Sequence, residues 1–236
     1  MSMHYQIFLV SSWQTSYYLT ITKPMSKTKT YDFKEEKQPI AVTITEFTLL
    51  KKADFFLERY SEPYIVSMAI DEAGLANPAI SFNTMPFPNM RKGDTITFDG
   101  QGHLIYGPKY PGSFVTYSIL FMESDADIRE AGKVVEEVVK SEAVDLGLKT
   151  ILQAQPTYGV VASVLQKLTE LVSKRMQNNK DDELYRRNGT LLRDVKPPYD
   201  ILRTYVGEND FIRSKVSIIP LEESNGLGSQ VNEVSL

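Results

Sequence analysis

Nucleophile and metal chemistry in proteins draws on few side-chain types, and this 236-residue chain lacks several of them. It has no cysteine, which removes thiolate catalysis, disulfide bridges and thiolate-held zinc or iron–sulfur centres. His4 and His103 are its only imidazoles, too few for a multi-histidine metal site and scant material for a histidine-based triad. His103 lies near Asp99, Tyr106 and Tyr110 in sequence, but a single histidine at a strand margin is ordinarily a surface or hydrogen-bonded residue, and no acid–base pair is assigned to it. Gly100-Gln101-Gly102 lacks the glycine spacing and the following helix of a phosphate cradle. No two carboxylates are identified as facing one cleft, as glycoside hydrolysis requires. The expectation is a chain that is not an enzyme, and no small-molecule substrate is identified.

Charge narrows the partners. The net charge of -4 and a pI near 5.4 create no field that gathers nucleic acid, so no nucleic-acid partner is expected. Arg186, Arg187, Arg193 and Lys196 form a local basic group, but strand alternation sends them to different faces, as on a solvated surface. Asn188-Gly189-Thr190 matches a glycosylation acceptor and equally a tight type I′ hairpin turn; the turn is the preferred reading. The longest apolar run near the start, Ile7 to Val10, is far too short for a signal-peptide core or a membrane span. A soluble, cytoplasmic protein is expected, with export that needs no cleaved signal left open.

The elements that would position these residues are read from periodicity. Strands rich in aromatic and branched residues are predicted at His4–Val10 and Ser16–Thr22, followed by a polar, lysine-rich connection over Lys23–Pro39. Ile40, Val42 and Ile44 alternate with polar threonines, which predicts a half-buried strand. Further strands are predicted at Tyr64–Asp71, buried on both faces for part of its length, at Ala79–Asn83 and at Asp94–Phe98. Val115–Met122 is the most apolar and reads as a central strand; the Gly107–Gly112 segment before it, with two prolines, reads as a loop. The period then changes. Ala131, Val134, Val135, Val138, Val139 and Leu146 predict an amphipathic helix over Asp127–Leu146, and Val161, Val164, Leu165, Leu168, Leu171, Val172 and Met176 a second after Pro156. Strands resume at Thr190–Asp194, Tyr199–Val206 and Arg213–Pro220. One domain over residues 1–220 is expected, with a helical insertion at 127–177 and a flexible tail at 221–236.

Three acidic segments give this pattern a family likeness. Ala53-Asp54 followed by Ser61-Glu62-Pro63-Tyr64-Ile65-Val66 resembles the first loop of the calcium-binding C2 domain, with Glu where that family usually has Asp. Phe121-Met122-Glu123-Ser124-Asp125-Ala126-Asp127 is similar to its strand-ending acidic loop, where either Glu123 with Asp125 or Asp125 with Asp127 fits the spacing, and Lys180-Asp181-Asp182-Glu183-Leu184 to the acidic pair that follows, here displaced by both helices. The likeness covers residues 40 to 220 in outline. It implies a mainly β fold, a C2-like antiparallel β-sandwich with a two-helix insertion between late strands, and calcium held by Asp54, Glu62, Glu123, Asp125 and Asp181. A hard cation with six to eight oxygen ligands suits such carboxylates. Several have a plainer reading: Asp125 or Asp127 caps a helix, Asp181 and Asp182 form a solvated turn, and Glu62 marks a strand boundary. Two functions follow: a structural or protein-interaction module with a protein partner or self-assembly, or a calcium-dependent peripheral module that meets an anionic membrane surface.

Overall fold

The computed structural model describes residues 38–52, 60–73, 75, 79–124, 131–145, 148–154, 157–221 and 232–235. The chain divides into two compact units, Met1–Asp32 and Phe33–Leu236, and every described residue belongs to the second. The strands expected at His4–Val10 and Ser16–Thr22 lie outside the described residues.

Among the described residues ten strands and three α-helices follow in chain order: β1 (Ile40–Leu49), β2 (Pro63–Asp71), β3 (Ala79–Pro86), β4 (Thr95–Thr97), β5 (His103–Lys109), β6 (Phe114–Glu123), α1 (Ala131–Asp145), α2 (Leu148–Ala154), α3 (Tyr158–Asn178), β7 (Asp182–Leu192), β8 (Thr204–Glu208), β9 (Ile212–Pro220) and β10 (Asn232–Ser235). They form two antiparallel five-stranded sheets. The first runs β4-β1-β9-β8, with β5 also paired to β1; the second runs β10-β3-β2-β6-β7. The protein is thus mainly β, a sandwich with a helical insertion between β6 and β7, as the residue pattern predicts.

Burial explains why β2 and β6 read as nearly continuous apolar runs. Tyr64, Val66, Met68 and Ile70 of β2 join Leu120 and Met122 of β6 in one apolar core with Val135 and Val139 of α1 and Val161, Leu165, Leu168 and Val172 of α3. The alternate residues, including Ile65 and Phe121, face the first sheet, where Phe121 lies 5.6 Å from Phe47 between ring centres. Both strands are therefore buried along their whole length. The helices are a third layer over the second sheet, and β1, with Ile40, Val42, Ile44, Phe47 and Leu49 fully buried, lines the sandwich interior.

Several local expectations change. Among its described residues the insertion has three helices, because the short α2 lies between the two predicted ones. β5 runs through Pro108, in the segment read as a loop; its pairing with β1 carries register shifts, the setting in which a strand tolerates proline. Asn188-Gly189 is not a turn but the middle of β7, opposite Ser118 and Tyr117. A β-carbon on Gly189 would sit 2.4 Å from the Tyr117 ring, so this glycine makes room for an aromatic side chain. β7 starts earlier than its apolar pattern suggests, and Tyr199–Val206 is a 3₁₀ turn at Pro198–Asp200 followed by β8. Residues 232–235, inside the stretch read as a loose tail, pair with β3.

Candidate functional site

Polar side chains between the two sheets gather along the two seams of the sandwich. At one seam the Tyr106 hydroxyl of β5 donates to Asp71 Oδ2 of β2 at 3.0 Å. The Lys109 ammonium lies 2.8 Å from the same carboxylate oxygen, 3.5 Å from Ser81 Oγ and 5.4 Å from the Tyr106 ring centre. Asn83 Nδ2 of β3 donates to the Leu104 carbonyl of β5 at 3.3 Å. Asp71 is 3% exposed, so an ion pair and a phenol hydrogen bond both act to offset its desolvation. A serine, a lysine and a tyrosine this close resemble the parts of a nucleophilic site. In this arrangement the lysine is committed to the ion pair with Asp71.

At the other seam Arg187 reaches from β7 into the first sheet. Its Nη1 donates to the Ser214 carbonyl and to Ser214 Oγ, each at 3.0 Å, and its Nη2 to the Tyr205 carbonyl at 3.2 Å. Asn209 Nδ2 returns the tie by donating to the Leu184 carbonyl of β7 at 2.8 Å. Gly207 permits the approach, since a β-carbon there would lie 2.8 Å from the Tyr185 hydroxyl and 2.9 Å from the guanidinium. The Tyr205 and Leu184 carbonyls that accept lie on the edge strands β8 and β7, and Ser214 lies on the interior strand β9. Near the same end the buried Tyr199 hydroxyl donates to the Gly112 carbonyl, and Ser113 N donates to Glu72 Oε2 at 2.6 Å. Burial pushes the Tyr199 phenol well above its ordinary range.

Of the residues the C2 likeness implies, Asp54 and Asp125 lie outside the described residues. The other three meet at one end of the second sheet. Pro63 of β2 pairs with Glu123 of β6, which pairs with Asp182 of β7, and the Glu62 carbonyl accepts from Ser124 N at 3.1 Å. Their side chains differ in setting. Glu62 is exposed, Glu123 is 4% exposed, and Asp181 accepts a 2.6 Å hydrogen bond from the buried Tyr64 hydroxyl. Burial, with the hydrogen bond and charge of Asp181 added, drives the Tyr64 phenol far above its usual range. Among the described residues no three His, Asp or Glu side chains form a group able to hold a metal ion.

The basic group disperses as alternation requires. Arg186 pairs with Glu183 at 2.6 Å, Arg187 enters the seam, and Arg193 donates to the Tyr110 hydroxyl at 2.9 Å. His103 is neither on the surface nor fully hydrogen-bonded: its Nε2 is buried without a partner beside Phe98, ring centres 5.8 Å apart, and burial lowers its pKa to about 4. An open cleft of about 180 Å³ lies between α3 and the β6–β7 pair, lined by Thr116, Ala162, Leu165, Gln166, Asn188 and Thr190 among others. The hydroxyls of Thr116 and Thr190 share a 2.8 Å hydrogen bond there.

Sequence reasoning did not single out Asp71 or Lys109, and it named Tyr106 only as a neighbour of His103 and Arg187 only as a member of the basic group. Asp71 at the end of an apolar strand was a legible signal, because a charge there needs a partner; its identity was not legible, because β2 and β5 meet only in the folded sandwich. Fold and site together define a helix-backed antiparallel β-sandwich whose two sheets are tied at both seams. No known family model matches the sequence, and no curated protein matches it either.

Proposed function

We propose that this chain is a non-enzymatic structural or protein-interaction module built on a C2-like sandwich. The supporting observation is the use of its interior polar groups: Asp71 with Tyr106 and Lys109, and Arg187 with Ser214 and Tyr205, bond to one another across the sheets. Such groups rigidify a scaffold, and they leave the outer surface as the part that meets a partner. On that surface Leu202 and Val206 are 60% and 59% exposed. Leu202 precedes β8 and Val206 lies in it, beside a polar ladder in which Thr204 bonds Ser217 at 2.8 Å and Arg213 pairs with Glu208 at 2.5 Å.

The test uses the immobilised full chain to capture proteins from native extract, followed by titration calorimetry with each purified candidate. Saturable binding that weakens with Leu202→Ser and Val206→Ser supports the module. Turnover of chromogenic glycosides or esters that Asp71→Asn abolishes would replace it with an enzyme.

One observation favours a second reading, calcium-dependent binding to an anionic membrane: the strand ends bearing Glu62, Glu123 and Asp181 are neighbours in the second sheet. Among the described residues no helix is long and apolar enough to cross a membrane, so such contact would be peripheral. Cosedimentation with phosphatidylserine vesicles, with calcium or with chelator, separates the two. Pelleting in calcium alone supports the second reading, and identical behaviour in both removes it.

A further inference from the structure

The second sheet ends in an unusual strand pair. β10 contributes four residues, with Asn232 opposite Phe82, Glu233 opposite Ser81, Val234 opposite Ile80 and Ser235 opposite Ala79. β3 spans Ala79–Pro86, so β10 covers half of its edge. The pairing is short beside the ten-residue β6–β7 register and the nine-residue β2–β6 register. β10 is also foreign to its sheet by chain order: the strand before it, β9, ends at Pro220 in the first sheet. The intervening sequence, Leu221-Glu-Glu-Ser-Asn-Gly-Leu-Gly-Ser-Gln-Val231, has the glycine, serine and acidic composition of a linker. Its ten residues after Leu221 reach about 35 Å when extended.

We infer that the β3 edge is a strand-acceptor site and that β10 is its exchangeable occupant, so that two copies of this chain trade β10 and join through their second sheets. The physical basis is that an edge strand offers a row of backbone donors and acceptors to any extended segment of suitable register. A β10 from a second copy satisfies those groups as well as the chain's own β10 does. Opening requires loss of one short edge pairing and of the contact that β10 makes with α1, and it leaves the other strand pairings of the sheet intact, which makes it a local fluctuation rather than global unfolding. Exchange then depends on concentration, because the intramolecular strand competes at the effective concentration its linker sets. This inference stands apart from the proposed function: it needs only β3 and β10, and a scaffold with a fixed β10 remains a scaffold.

The absence of cysteine makes the test clean. Opposite residues of an antiparallel pair have Cα atoms close enough for a disulfide. The double variant Ala79→Cys with Ser235→Cys, oxidised in dilute solution, closes on itself if β10 occupies the β3 edge; failure to close overturns the inference at its first step. Two single-cysteine chains, Ala79→Cys and a mass-tagged Ser235→Cys, are then mixed at high concentration, equilibrated and oxidised. Exchange predicts that disulfides between unlike chains outnumber those between like chains by roughly tenfold or more. A statistical mixture of the three products, or no interchain disulfide, shows a permanently docked strand and overturns the inference.

Discussion

At the scale of single residues, burial alters the chemistry of titratable side chains. His103 is the clearest case: its Nε2 is buried without a partner, and burial lowers its pKa to about 4. The free imidazole titrates near 6.5. Between these values the unfolded chain binds a proton that the folded chain refuses, so stability falls as pH drops from about 6.5 to about 4 and is unaffected by this group above that window. The contribution is of the order of 2–3 kcal/mol. Urea titrations from pH 7 to pH 4 should show the native chain losing more stability than His103→Leu, which has nothing to protonate; parallel curves would refute the mechanism. Arg187 supports a second expectation. Its forked guanidinium holds Ser214 and Tyr205 at once, a geometry that an ammonium cannot reproduce. Arg187→Lys therefore keeps the charge and still destabilises by about 2–4 kcal/mol, read from the urea midpoint. A loss below about 0.5 kcal/mol would mean that charge, and not the fork, ties this seam.

At the scale of elements, what the sequence made legible follows from the range of each signal. Hydrophobic period is local, so β1, β2, the central β6 and the apolar stripes of α1 and α3 were readable from Ile40, Val42, Val135 and Leu168 without any knowledge of their partners. Turn chemistry failed where a long-range contact overrode it: Asn188-Gly189 has a hairpin composition, yet Tyr117 on the next strand uses the glycine as ring space. β5 was hidden because Pro108 within it forbids a regular ladder, whereas its irregular pairing with β1 does not require one. Of the candidate site, the convergence of Glu62, Glu123 and Asp181 on one sheet end was foreshadowed by their strand-boundary positions. The commitment of Asp181 to Tyr64 spans more than a hundred residues and left no local trace. The helical insertion yields a prediction. Glu123 and Asp182 are direct cross-strand partners, so replacing residues 124–181 with Asn-Gly leaves a geometrically sound hairpin. That replacement uncovers Val66, Met68, Ile80, Phe82, Leu120 and Met122, which are buried in the core shared with the helices. The shortened chain should bind a hydrophobic dye strongly and sediment as aggregates; a monomer that ignores the dye would show that the helices are dispensable decoration.

At the scale of the whole folded unit, two cores share one wall. The interior between the sheets and the interior beneath the helices lie on opposite faces of β2 and β6, whose residues are buried along both strands. Loss of either core therefore strips one face of the same two strands and weakens the other. The first sheet adds a further constraint, because its central β1–β9 pair joins Ile40–Leu49 to Ile212–Pro220 and so encloses most of the sequence. Neither half can form its full set of pairings while the other remains open. Helix loss and sandwich loss should thus coincide on heating. The helices report through far-ultraviolet circular dichroism at 222 nm, and the interior tyrosines, among them Tyr64, Tyr106 and Tyr199, through the near-ultraviolet signal. The two probes should give one midpoint in the native chain. Leu168→Ala in α3, at a fully buried position, should lower both midpoints together and cost about 2–5 kcal/mol. An earlier loss of the 222 nm signal, with the tyrosine signal unmoved, would show that the helices melt off a self-sufficient sandwich and that β2 and β6 do not couple the layers.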